Sequence, residues 1–374
     1  MLRPVIFFIL VLTAAPALAQ SRPAEGLTDG ARLFAAGCAG CHGPQGAGAP
    51  DSTVGFEKPS TYPDFSACDQ TSPEVEADWY AVIHDGGKAR GFSRIMPAFG
   101  DLLTPDQITA LVRYIRGLCH DRAWAPGELN LPRPLVTEKA FPESETVFTS
   151  TIAPAVEGGR GHDATYGLQY ERRFSARDQL ELLVPLAVSH DQAGAAHTGV
   201  GDVEVGLKHV LWSSLHRGSI LSGQGVVTLP AGNHDTGLGS GTTVFEGFLA
   251  AGQILGRTGF VQGQAGFEQP ADTTALPRAV YARMAIGNSF RADRSLGRMW
   301  TPMAELIADR DLETGASTSL DVIPQIQVTI NRRQHIRGDV GVRMPVNHRD
   351  GRSASVGFYL LWDWFDGGLF SGWK

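Results

Sequence analysis

From Val147 almost to its end the chain alternates between apolar and polar or small side chains. Leu180, Leu182, Val184, Leu186 and Val188 share one parity, and Val203, Val205 and Leu207 alternate with Glu204, Gly206 and Lys208. Ile336, Gly338, Val340, Val342 and Met344 alternate in the same way with Arg337, Asp339, Gly341 and Arg343. A period of two belongs to strands, whose successive side chains point to opposite faces. This part of the chain is therefore constrained to form β-sheet with one apolar face.

About twelve such stretches can be counted against the template of an even-numbered antiparallel barrel. They lie near residues 146–158, 163–175, 178–190, 201–213, 219–231, 242–255, 258–269, 278–291, 298–309, 318–331, 335–347 and 353–365. Short turns containing Gly or Arg/Asp alternate with longer segments such as 232–241, which is the layout of hairpins. A soluble sandwich satisfies the same alternation. Three features favour a transmembrane barrel over residues 146–374. The strands run to about a dozen residues, longer than the usual globular strand. They follow one another in a single meander. Aromatic residues (Tyr166, Tyr170, Trp212, Trp300, Tyr359, Trp362 and Trp364) collect near strand ends, where interfacial girdles would sit.

The other constraint is Cys38-Ala39-Gly40-Cys41-His42, the C-x-x-C-H pattern of c-type haem attachment. Each thiol can form a thioether with a haem vinyl group, and the next imidazole can then serve as proximal iron ligand. A zinc half-site would need a second Cys/His pair at ligand spacing, and a thioredoxin-like redox pair would need a βαβ context. Neither is present in the sequence; a plain disulfide is the remaining rival reading.

An export signal agrees with haem attachment outside the cytoplasm. Arg3, the apolar run from Val5 to Leu12 and the small-x-small site Ala17-Leu18-Ala19 read as a signal peptide over residues 1–19. After it no apolar run of eighteen residues occurs, so no transmembrane helix is expected. The formal net charge of -7 argues against a nucleic-acid partner. Of four cysteines, Cys68 and Cys119 remain after haem attachment, and an oxidising periplasm favours their pairing as a disulfide.

Helical spacing is expected at 28–36, 73–84 and 104–118. The last begins with Thr104 as N-cap, Pro105 at the first position and Gln107 completing a capping box. Ile108, Leu111, Val112 and Ile115 recur on one face. Between the second and third helices lies Met96-Pro97-Ala98-Phe99-Gly100, whose thioether is a soft donor suited to haem iron. His84 and His120 follow helix ends and read as structural.

At this point residues 24–122 resemble a class I cytochrome c: an N-terminal helix, C-x-x-C-H, a glycine-rich wrap, a helix ending in Gly86-Gly87, MPAFG and a long last helix. The resemblance implies one covalent haem c on Cys38 and Cys41, with His42 and Met96 as axial iron ligands. Residues 123–145 hold Pro126, Pro132, Pro134 and Pro142, a density that gives an extended, semi-rigid connector. Trp124, Leu131 and Phe141 offer apolar anchors against the barrel rim or lumen.

Within the barrel, the stretch from Gly199 to Lys208, the stretch from Val226 to Gly232 and Leu238-Gly239-Ser240-Gly241 resemble outer-membrane barrels of the MetA-pathway-of-phenol-degradation family. The terminal aromatic usual in such barrels is displaced here, since the chain ends Trp373-Lys374. The whole reads as an all-α cytochrome domain followed by an all-β antiparallel transmembrane barrel. It would be an electron carrier rather than an enzyme, set in outer-membrane lipid with its haem in the periplasm and periplasmic redox proteins as partners. Two alternatives stay open: a small-molecule channel with an accessory cytochrome, and the electron-accepting subunit of a dehydrogenase. His162, His190, His197 and His234 are expected in loops.

Overall fold

The computed structural model describes residues 25–59, 62–154, 162–190, 194–291, 299–348 and 352–363. The expected signal peptide, Trp364 and the chain end at Trp373 lie outside them.

The N-terminal domain is built on α1 (Glu25–Gly37), α2 (Ala39–His42), α3 (Cys68–Thr71), α4 (Glu76–Asp85) and α5 (Pro105–Arg116). The capping box of α5 is formed: the Gln107 N–H donates to Thr104 Oγ1 and the Thr104 N–H to Gln107 Oε1. This satisfies two of the helix's orphan donors. Ile108, Leu111, Val112 and Ile115 are buried against Phe34, Phe65 and Ile83. Helix α1 can cross α5 closely because Gly30 has no side chain; a Cβ there would lie 2.3 Å from the Ala110 carbonyl oxygen. Helix α4 starts at Glu76 rather than at Pro73. The acceptor for the Glu76 N–H is the carboxylate of Glu128, far away in sequence. Cys68 and Cys119 are joined by a disulfide, with Cα atoms 5.1 Å apart.

The C-terminal half is one antiparallel sheet that closes on itself. Its strands are β1 (Glu145–Pro154), β2 (His162–Arg173), β3 (Asp178–His190), β4 (Ala196–Val200), β5 (Val203–Ser214), β6 (Ser219–Leu229) and β7 (Val244–Leu255). They continue with β8 (Gly259–Pro270), β9 (Ala279–Asn288), β10 (Phe290–Arg291), β11 (Met299–Asp311), β12 (Ser319–Thr329), β13 (Ile336–Pro345) and β14 (Ser355–Asp363). Strands β4 and β5 share the neighbour β3, and β9 and β10 share β11, so among the described residues the barrel has twelve staves. Pairing of β1 with β14, from Glu145 opposite Asp363 to Ile152 opposite Val356, closes the ring. The break between β4 and β5 has a cause in Pro185. The Gly201 N–H donates to the Pro185 carbonyl, but proline has no N–H to return.

Which way the apolar face points decides between barrel and sandwich. Leu182 and Leu186 are 39% and 53% exposed, whereas Glu171 and Gln179 on the other face are fully buried. Apolar side chains outward and polar ones inward is the arrangement of a lipid-embedded barrel, the inverse of a soluble sandwich. Trp212 and Trp300 are exposed, as a girdle requires, but Tyr359 and Trp362 are buried and do not belong to it. Three histidines expected in loops instead sit on strands: His162 on β2, His190 on β3 and His197 on β4, while His234 lies in a short 3₁₀ turn.

The connector does not stop at the rim. Leu129, Leu131, Arg133, Thr137, Lys139, Ala140, Phe141 and Glu143 are all buried, and their partners are inward-facing side chains from around the ring. Gln262 donates to the Pro132 carbonyl, Tyr359 to the Arg133 carbonyl and Ser222 to the Ala140 carbonyl. Glu305 accepts from the N–H groups of Leu135, Val136 and Thr137 and from the Thr137 hydroxyl. Arg133 pairs with Glu145 and Glu171, and Lys139 with Glu143. A proline-rich segment exposes unpaired backbone groups that a helix or strand would satisfy internally. The glutamine- and glutamate-lined lumen satisfies them here. The segment is a plug.

The helical domain rests on the same rim where β1 begins and β14 ends. Arg90 and Arg333 exchange contacts across this junction, and Glu74 lies 3.4 Å from His335 of the β12–β13 turn.

Candidate haem site

Cys38 ends α1 and is at once the cap of α2. The His42 N–H donates to the Cys38 carbonyl at 2.9 Å, so the two side chains lie one helical turn apart on one face. Gly43, at φ +74°, then turns the chain away; a Cβ there would sit 2.7 Å from the Gly48 carbonyl oxygen. The methionine loop is held by the end of α4, where the Gly87 N–H donates to the Met96 carbonyl at 3.1 Å. A Cβ on Gly87 would lie 2.4 Å from the Ser93 carbonyl oxygen, so only glycine lets the loop approach this closely.

Cys38, Cys41, His42 and Met96 line one cavity of about 540 Å³, a volume within the range of cofactor sites. The two thiols are free. The His42 ring stacks on Phe65 at 4.7 Å and on Tyr62 at 5.3 Å. Burial pushes its imidazole down to about 4, leaving a neutral ring with a lone pair to offer a metal. Burial, assisted by Cys41, pushes the Cys38 thiol up to about 11. His84 and His120 are not among the cavity residues; His84 Nδ1 is held by Asp85 at 2.7 Å.

A haem fits these residues. Besides the ligand set, three buried donors that line the cavity have no acceptor: Trp79 Nε1, Arg90 Nε and Arg173 Nη1. Haem carries two carboxylates, the kind of acceptor such donors lack. Sequence reading did not reveal the wall formed by Arg90, Arg172, Arg173, Glu143 and Ser144. No local motif marks it; in the fold the buried Arg90 is paired with Asp78 at 3.1 Å, since a charge that deep needs a partner. The plug also brings together two groups of carboxylates not evident in the sequence, Glu138/Glu171/Glu181 and Glu143/Glu145/Asp363. Arg133 and Lys139 enter with the plug and pair with one member of each group, Glu171 and Glu143.

Residues 25–115 match the family model described as cytochrome c oxidase, cbb3-type, subunit III. They form a c-type cytochrome domain. No curated protein sequence matches the chain. Among solved structures, an outer membrane channel from Pseudomonas putida F1 is similar at 14% identity, covering 62% of this chain and 99% of that chain, with a TM-score of 0.43. The KdgM porin is similar at 11% identity, over 59% of this chain and 99% of that one, with a TM-score of 0.39. The NanC porin is similar at 7% identity, over 58% and 98%, with a TM-score of 0.41. The cytochrome domain precedes a closed barrel of twelve staves among the described residues.

Proposed function

We propose that the protein is an outer-membrane-anchored c-type cytochrome that passes single electrons at the periplasmic face of the membrane. The observation that carries this reading is the convergence of Cys38, Cys41, His42 and Met96 on one cavity. Cys38 and Cys41 would hold one haem c through thioethers, and His42 and Met96 would be its axial ligands. The bound haem supplies a one-electron couple, whose potential a His/Met pair raises. Phe65 and Tyr62 fix the plane of the His42 ring, and the Gly87 hydrogen bond fixes Met96. Trp79, Ile83 and Phe99 are further cavity residues and would keep water from a bound haem.

The barrel is the anchor in this reading. Short turns mark the periplasmic end of such barrels. β1 begins and β14 ends at that rim, which supports a periplasmic position for the cytochrome domain. A lumen filled by the plug speaks for an anchor rather than a channel. Cys41 is exposed, so periplasmic redox proteins would exchange electrons on that side, with the chain acting as carrier and not as enzyme.

Substitution of Met96→Ala tests the assignment. Haem should remain covalently attached, as read by haem stain on a denaturing gel, while the signature of thioether ligation disappears from the absorption spectrum. An unchanged axial spectrum would assign the iron to another residue.

A further inference from the structure

The haem cavity is not closed by the cytochrome domain alone. Trp124, Glu143 and Ser144 from the connector and Arg172 and Arg173 from the end of strand β2 complete its wall. Arg173 is held with unusual care for a rim residue. Its Nε and Nη2 donate to the carbonyls of Ser175 and Ala176, at 3.3 and 2.7 Å. The guanidinium lies over the Trp124 ring at 4.3 Å and over Phe141 at 5.5 Å. It is more than nine-tenths buried, yet Nη1 has no partner.

These contacts fix the plane of the guanidinium and leave the Nη1 amino group, beside the cavity, with its donors unused. Nearby charges are committed elsewhere: Glu143 is paired with Lys139, Glu74 with His335 and Arg90 with Asp78. Asp69 and Arg172 also line the wall. A buried, always-charged fork with an unfilled donor calls for a carboxylate or phosphate. The group proposed for this cavity brings carboxylates with it.

We infer that Arg173, a residue of the barrel, is the counter-ion of a haem propionate, so that barrel and cytochrome domain build the haem site jointly. The inference rests on the cytochrome reading above and adds that the membrane anchor tunes the redox centre. A fixed positive charge near the iron favours the reduced, less positive state. Removing it lowers the midpoint potential.

The test uses the full-length holoprotein in detergent and the substitution Arg173→Gln. Covalent haem content reports on the cytochrome reading, and a spectroelectrochemical titration reports on the inference. The expected result is unchanged haem content with the one-electron equilibrium shifted roughly tenfold toward the oxidised form, a fall of about 59 mV. An unchanged potential in a fully loaded variant overturns the inference and leaves the cytochrome reading standing. Wild-type protein with no covalent haem overturns both. If Arg173→Gln loses its haem, Arg173→His decides instead. Its potential should fall as pH rises and the imidazolium loses its charge, and a potential no more pH-dependent than wild type rejects the propionate contact.

Discussion

Arg90 Nη2 donates to the carbonyl oxygen of Arg333 at 2.6 Å, although 243 residues separate them. Arg333 returns its own guanidinium to the carbonyl of Gly91 at 2.8 Å and lies over the Phe92 ring at 4.6 Å. One arginine belongs to the cytochrome domain and the other to a barrel turn. Their exchange ties the cytochrome domain to the barrel rim, beside the plug that threads the lumen.

Arg333→Ala should loosen this junction without unfolding either half. Hydrogen bonds to charged groups contribute about 1.5–3 kcal/mol each, so amide exchange at residues 87–92 should rise sharply while barrel amides stay protected. Arg90→Ala should do more, because it removes the buried cation that faces the Asp78 carboxylate at 3.1 Å. Breaking such a pair costs roughly 3–5 kcal/mol, which thermal unfolding of the cytochrome domain would register.

Acid should undock the domains. Burial opposes the charge on Glu74, but the hydrogen bond from His335 and the nearby Arg90 outweigh it and hold the carboxyl down to about 2. A depressed carboxyl stabilises the folded state above its unfolded value of about 4.3. That contribution is lost as pH falls toward about 2. Proteolysis of the junction should accelerate across this window in the wild type. Glu74→Gln should be loosened already at neutral pH and lose the acid dependence.

Glu305 is the main seat of the plug. Glu305→Ala leaves the backbone N–H groups of Val136 and Thr137 without their carboxylate acceptor, at about 1–3 kcal/mol for each buried unsatisfied group. In planar bilayers the wild type should be silent and the variant should show intermittent openings. Steady conductance by the wild type would count against an occluded lumen.

Leu182 faces outward from β3. Replacing it with arginine should destabilise the barrel by about 2–4 kcal/mol if the site lies at the bilayer midplane. Urea titration of folding into lipid vesicles would measure the loss.

Reduction of Cys68–Cys119, which spans 51 residues, should cost the cytochrome domain roughly 2–4 kcal/mol by releasing that loop in the unfolded state. A Cys68→Ser/Cys119→Ser pair that melts with the wild type would contradict this.

Much of the molecule is local and therefore legible in the sequence. The Cys38–His42 spacing, the Thr104/Gln107 capping box and the period of two between Leu180 and Val188 each depend on residues within one or two turns or on one strand. Their geometry follows from bond lengths and hydrogen bonding alone. The direction of the apolar face is different. A strand such as β3 has the same alternation in a sandwich and in a barrel, and only the closure of β1 on β14 turns Glu171 and Gln179 inward and leaves Leu182 facing out. The connector's apolar anchors pointed to the rim or lumen, but the seat of the plug was equally hidden. Prolines between 126 and 142 announce an extended segment, but its hydrogen-bond partners, Gln262, Glu305 and Tyr359, lie more than a hundred residues away. Arg173 is the clearest case. In the sequence it is one more charge at the end of a strand. It becomes part of the haem wall because the chain threads the barrel and sets the cytochrome domain on the rim, and long-range packing of that kind leaves no mark on neighbouring residues.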